Sequence, residues 1–377
     1  MEKDMEFTAI SKKEWNHIAD TEMSPADIAR YFYEQIRIRK FSEILERFAK
    51  GQDIKTLLTD RLCEFDPDAK RDSVRKKVSN WLNGKNEPHR DELIKICFAL
   101  ELNETEAQSF MRYSFDGGFH LRNPKELAFL YCLRSAKSYP DALRFVNSLK
   151  PLEKTIENEP TNSENGSELV YTKVVADAFS QIYDDGAFLE FYENNLENFG
   201  YLHNTAYHRF MRFFNELIAP SAPLYTIKAS ACSIEHAVDT YLRMNLPLDK
   251  KTSKYTAIQK IIRNFWPNVT AIKNMRNREE DVNRKVLLLL YVVTEGIDDT
   301  ASDDYLWLED MTPVELLEEH TWRISLMLNE CGMGSLDPRN PFDWLILYSL
   351  KTGDDIKGMS GRLQEALEIL FPSQDSE

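Results

Sequence analysis

An all-α fold follows from three features of the sequence. Apolar residues recur at three- and four-residue steps through most of the chain, and runs that alternate with a period of two are nearly absent. Gly and Pro number only 13 and 15 in 377 residues, too few for a sandwich of short strands joined by tight turns. The composition is that of a folded chain, with 42% hydrophobic, 29% charged and 11% aromatic residues. At about 150 residues per domain, the length predicts two or three domains.

The elements follow in order. Ile28, Tyr31, Phe32, Ile36, Phe41, Ile44, Leu45 and Phe48 fall at helical spacing, predicting one or two amphipathic helices over 25–50. Short helices continue over 53–150, with breaks at Asp66-Pro67, Asn83-Gly84, Gly117-Gly118 and Tyr139-Pro140. Residues 151–168 lose aromatics and fill with Asn, Glu, Ser, Thr and Pro, the composition of a flexible linker. Three helices rich in Phe and Tyr are expected over 169–219 and further helices over 233–296. An acidic stretch follows over 298–319, and closing helices over 320–371. The expected domains are 1–150, a helical middle region over 169–232, and 233–377.

Several classes of function are disfavoured. The longest apolar run, Val286 to Val293, is eight residues, against the roughly 18 that a bilayer span needs. The opening residues lack a basic-then-apolar leader. Cys63, Cys97, Cys132, Cys232 and Cys331 are odd in number, far apart and without CxxC pairing, so reduced thiols in a cytoplasmic protein with no membrane partner are expected. No Gly-rich phosphate loop, GxSxG or HExxH motif occurs. Residues 331–335 lack the third glycine of a dinucleotide fingerprint. His203 and His208, five apart, do not share a helix face, and Glu318, Glu319 and His320 have no ligand spacing to Cys331. The expectation is a protein that is not an enzyme, with no catalytic residue, metal or cofactor.

The chain repeats itself. Residues 78–102 align without gaps on 272–296 at an offset of 194, matching Asn80 with Asn274, Asn83 with Asn277, Arg90 with Arg284, Leu93 with Leu287 and Glu101 with Glu295. Residues 122–133 align on 339–350 at an offset of 217, sharing Arg-Asn-Pro, an acid, Leu, Tyr and Leu. The extra 23 residues fall at about 297–319, which holds nine acids and no base. Two related helical modules, the second with an acidic insertion, are expected. The shared Asn-Pro reads as a helix start, with Asn123 and Asn340 as N-caps and Glu126 and Asp343 completing capping boxes.

At 73–113 the residues form a recognisable pattern. Val74, Val78, Trp81 and Leu82 make one buried stripe, and Arg75, Lys76, Ser79 and Asn80 lie opposite. Gly84 sits where a helix end needs a left-handed residue. Trp81-Leu82-Asn83-Gly84-Lys85 followed by Pro88, then Leu93, Ile96, Cys97 and Leu100, resembles the lambda-repressor/Cro-like helix-turn-helix family. The resemblance covers about 40–150 well and 235–371 poorly. A longer connection, 63–73, stands where the family has a short turn. In the second copy Arg278 replaces the turn glycine and Val282 the proline.

The resemblance implies double-stranded DNA as partner, with the helix around 73–83 in the major groove. Arg75, Lys76, Ser79 and Asn80 are the base-contact candidates, since Arg forks onto guanine and Asn onto adenine. Lys70, Arg71, Lys77 and Lys85 are phosphate-contact candidates, which implies a salt slope of around −5. A second basic patch comprises Lys250, Lys251, Lys254, Lys260, Arg263, Lys273, Arg276 and Arg278, beside Tyr255, Phe265 and Trp266. Phe265 and Trp266, next to Pro267, read as core at a helix start. Net charge is −15, yet 70–90 carries +5 and 250–278 carries +8, leaving −28 on the other 327 residues. Such a distribution predicts a narrow, salt-sensitive footprint.

The expected function is sequence-specific transcriptional regulation. The C-terminal half would serve sensing, dimerisation or auxiliary contacts, and a homodimer or other protein partner is open. Tandem modules could also read two half-sites as a pseudo-dimer. The alternative is an all-helical protein-interaction adaptor that keeps the scaffold without binding DNA.

Overall fold

The computed structural model describes residues 9–36, 38–86, 88–114, 118–151, 175, 177–196, 199, 204–218, 234–244, 246, 255–296, 311–352 and 358–372. Among them every regular element is a helix, so the fold is all-α. No helix is long and apolar enough to cross a membrane among the described residues.

The chain opens with α1 (Ala9–Asp20) and α2 (Pro25–Glu34), the latter started by a Ser24–Asp27 capping box. It then divides into two compact units, 39–205 with 332–334, and 1–38 with 206–331 and 335–377. The expected boundaries do not contain this grouping. Residues 1–38 belong with the C-terminal half, and 177–205 with the N-terminal half. Helical periodicity identifies which face of a segment is apolar, but not which distant surface covers it.

The unit of 39–205 runs through α3 (Phe41–Phe48), α4 (Ile54–Phe65), α5 (Arg71–Leu82), α6 (Arg90–Ala99), α7 (Glu104–Ser114), α8 (Pro124–Arg134) and α9 (Tyr139–Ser148). A helical stretch at 177–180 and α10 (Asp185–Asn194) complete it. The connection expected at 63–73 is shorter, because α4 continues to Phe65 and α5 starts at Arg71, leaving only 66–70. The core gathers Leu45, Leu58, Val78, Trp81, Leu93, Cys97, Phe110 and Leu127. Phe98, Phe129 and Tyr139 pack around one another at centroid separations of 5.5 to 6.1 Å.

The other unit joins α1 and α2 to α11 (Asn204–Ile218), α12 (Ile234–Ala237, continuing as a π-helical turn, Val238–Leu242), α13 (Ala257–Phe265), α14 (Val269–Arg276), α15 (Arg284–Val293), α16 (Pro313–Glu330), α17 (Pro341–Leu350) and α18 (Gly358–Leu370). The apolar run 286–292 is buried throughout, and so is all of α17. Trp266 is buried as expected, although it follows the end of α13. Its indole N–H donates to the Leu242 carbonyl at 2.7 Å.

The two aligned stretches fold alike in detail. Helix α6 spans 90–99 and α15 spans 284–293, the same bounds at an offset of 194. Positive φ occurs at Lys50 and Met244, Gly84 and Arg278, and Glu101 and Glu295, all pairs at that offset. Arg278 therefore adopts the left-handed conformation that Gly84 adopts, so the turn survives the loss of its glycine. Asn123 and Asn340 are N-caps, as the Asn-Pro motif predicts. Glu126 does not close a capping box. Its carboxylate turns away to Arg90, whose guanidinium forks onto it at 2.6 and 2.7 Å and also donates to the Gly118 carbonyl at 2.6 Å. Arg284, Asp343 and the Ser335 carbonyl repeat the set at 2.8, 2.7 and 3.1 Å. The backbone N–H of His120 completes the first carboxylate and that of Asp337 the second, each at 2.8 Å.

Candidate functional site

The site is built on α5. Val74, Val78 and Trp81 hold its inner face in the core, with exposures of 9%, 0% and 3%. Three successive turns are thereby anchored, so the outer face is a rigid display of Arg75, Lys76, Ser79 and Asn80. Arg75 and Lys76 are exposed; Ser79 and Asn80 are half-buried. Gly84, at φ +66°, ends the helix, and the Lys85 N–H returns to the Asn80 carbonyl at 2.9 Å.

The predicted cations separate into two groups. Arg71 pairs with Asp60, and Lys77 pairs with Glu92 while lying 5.2 Å from the Trp81 ring centroid. Both are tied to neighbouring helices and brace α5. Arg75, Lys76, Lys70 and Lys85 are exposed and form no ion pair among the described residues. Ser79 accepts a long 3.4 Å bond from the Asn83 amide, leaving its hydroxyl hydrogen available. Lys70, at the N-cap position, offers no side-chain acceptor to the first turn of α5, so no side chain caps that helix end among the described residues.

The second basic patch is described only in part. Lys250, Lys251 and Lys254 lie outside the described residues, as does His203. Lys273 pairs with Glu235, Arg263 lies over Tyr255 at 5.0 Å and Arg278 over Tyr207 at 4.4 Å. Lys260 is exposed and Arg276 half-buried. At the positions matching Arg75, Lys76 and Lys85, the second stretch carries Val269, Thr270 and Glu279. Asn274, the match of Asn80, is held by a 2.9 Å bond to Glu280.

Of the remaining candidates, His208 and Glu318 are exposed, whereas His320 and three of the cysteines are buried. His320 is buried, shares a 2.8 Å hydrogen bond with the Tyr291 hydroxyl, and has its pKa pushed down to about 4 by burial and by Arg323. Burial pushes the Cys132 and Cys331 thiols up to about 12, and Cys97 higher still, which keeps all three protonated. Among the described residues no group of three His, Cys, Asp or Glu is placed to hold a metal ion.

Sequence reasoning missed the two Arg–carboxylate forks. Their signal was present, because Arg90/Arg284 is matched in the first alignment and the acid at 126/343 in the second. Two residues retained together in both stretches indicate a pair. Comparison with family models, curated proteins and solved structures returns no match.

Proposed function

We propose that this chain is a sequence-specific DNA-binding regulator that lays the outer face of α5 in the major groove, as a helix-turn-helix module does. The observation that carries the reading is the set of four exposed cations, Lys70, Arg75, Lys76 and Lys85, that form no ion pair among the described residues and surround one rigidly anchored helix. A helix packed by one stripe and basic on the other fits a groove lined with phosphates. Arg75 and Lys76 would meet base edges, with Ser79 and Asn80 beside them, while Lys70 and Lys85 would take phosphates. Since Arg71 and Lys77 are already paired, about four phosphate-equivalent contacts remain and the salt slope should be about −4. The matched face in the second stretch lacks these cations, so the proposal is one recognition helix per chain.

Selection of bound fragments from a random duplex pool at two salt concentrations tests this. An enriched sequence, bound tenfold or more above the pool and weakened by salt, is expected. A pool without enrichment refutes it.

One observation favours the adaptor reading instead. Ala107, Phe110 and Met111 of α7 match Ile324, Met327 and Leu328 of α16, and all six are buried. Outward, however, Thr105 and Ser109 are matched by Trp322 and Leu326, exposed by 40% and 46%. Apolar side chains that the scaffold does not require at an exposed position suit a protein partner. Under this reading Trp322→Ala abolishes an interaction, and Arg75→Ala changes nothing.

A further inference from the structure

Helices α1 and α2 form a pair, α1 packing on α16 and α2 on α17 and α18, within the unit of 1–38, 206–331 and 335–377. The stretch 177–180 and α10 form a second pair, packed on α8 and α9 within the unit of 39–205. The two seats match. Lys351, which corresponds to Arg134 at the offset of 217, donates to the Ile18, Ala19 and Thr21 carbonyls at 3.3, 2.7 and 3.4 Å. Arg134 donates to the Phe179 and Ile182 carbonyls at 2.6 and 2.7 Å. In each seat a cation at the end of the central helix therefore caps the carbonyl end of the visiting pair's first helix.

The visiting helices correspond as well. Ser24 and Asp184, 160 residues apart, are the N-caps of α2 and α10. At the same spacing Ile28, Tyr31 and Phe32 match Phe188, Phe191 and Tyr192, all six buried. A tyrosine hydroxyl then closes each seat, from Tyr192 to the Lys150 carbonyl at 2.9 Å and from Tyr33 to the Leu370 carbonyl at 3.3 Å.

The connectivity is crossed. Along the chain, α1–α2 precedes the first aligned stretch but packs on the second. The pair ending in α10 precedes the second stretch but packs on the first. That is the pattern of two helix-pair-plus-module chains that exchange their helix pairs, joined end to end. The contacts of α1–α2 with its seat are the same whichever chain supplies it, and only the six residues between α2 and α3 decide which does.

We propose that the α1–α2 pair is an exchange element whose partner is a second copy of this chain, each copy seating its pair on α16, α17 and α18 of the other. Within one chain, the short connector keeps the local concentration of the pair at about millimolar, which favours self-seating in dilute solution. Shortening the connector removes that advantage without altering the pair or the seat.

The test uses the full chain with three of residues 35–40 deleted, two differently tagged versions being co-expressed and purified through both tags. The expected result is recovery of both tags in a particle of twice the chain mass, with backbone amides of α17 and α18 as protected from hydrogen exchange as in the parent. A shortened chain that stays monomeric overturns the proposal, whether the seat is protected or exposed. A second, independent arm mixes full-length Phe32→Arg, whose pair cannot seat, with full-length Trp344→Arg, whose seat is spoiled. Each is first checked for helicity. Exchange predicts a mixed dimer with one restored seat and no dimer of either variant alone, whereas absence of the mixed dimer between folded chains refutes it.

Discussion

Arg90 grips Glu126 through two parallel hydrogen bonds, Nε to Oε1 at 2.6 Å and Nη2 to Oε2 at 2.7 Å. The grip recurs between Arg284 and Asp343, with side-chain exposures of only 6% and 2%. Each fork ties the start of one helix to the start of another and to an intervening loop carbonyl, Gly118 or Ser335. Fork geometry of this kind is fixed in direction as well as distance, and it sets the mutual placement of α6 with α8 and of α15 with α17.

Breaking one partner should be costly because the other is left charged and buried. Arg284→Met is expected to destabilise by about 3–5 kcal/mol. Arg90→Met should cost less, since Arg90 is 19% exposed. Urea titrations followed by circular dichroism would check the order, and equal or negligible losses would contradict it.

The same fork makes stability acid-sensitive. Burial pushes the Glu126 carboxyl up, but the Arg90 guanidinium and the His120 N–H more than offset this and hold it below the ordinary glutamate value. A folded pKa below the unfolded one gives stabilisation that is present above the unfolded value, about 4.3, and is lost as pH falls through the folded one. Glu126→Gln should therefore be less stable than the parent at pH 7, with the gap narrowing below about pH 4. A gap that stays constant with pH would exclude this assignment.

Gly84 isolates a backbone effect. A Cβ there meets nothing within 4 Å, yet φ is +66°. Gly84→Ala should cost about 1–2 kcal/mol through conformation alone. Arg278 already bears that strain at φ +59°, with its guanidinium over Tyr207. Arg278→Gly should be neutral to slightly stabilising, by up to about 1 kcal/mol, because the lost cation–π contact, about 0.5–1 kcal/mol, offsets only part of the relief. Thermal melts of both variants distinguish the cases.

For the DNA reading, Arg75→Ala should cost about 1–3 kcal/mol and relax preference at one base position. Lys70→Ala should weaken binding to all sequences and flatten the salt slope by about 1. Val269→Ala and Thr270→Ala, at the matched positions of the second stretch, should leave both unchanged. Binding isotherms at several salt concentrations read all four.

Much of this molecule is local and so was legible in sequence. Ile28, Tyr31 and Phe32 announce a buried helix face by spacing alone. Asn123 and Asn340 announce helix starts because a cap needs only the next three residues. The repeat was visible because the same positions meet the same packing demands twice. The outer face of α5 followed directly from where Val74, Val78 and Trp81 must point.

Pairing across the chain was decided only by tertiary structure. The sequence placed Lys77 among free cations, but Glu92 on the next helix holds it. It assigned Glu126 to its own N-cap, where Arg90, 36 residues away, offers two charge-assisted bonds in place of one. It set α1 and α2 with the residues that follow them, whereas they pack on a helix over 300 residues later. Periodicity determines that a face must be covered, because apolar area must leave water. Which surface covers it depends on shape and on buried polar partners that no local pattern encodes, and here those partners are the cations Arg134 and Lys351.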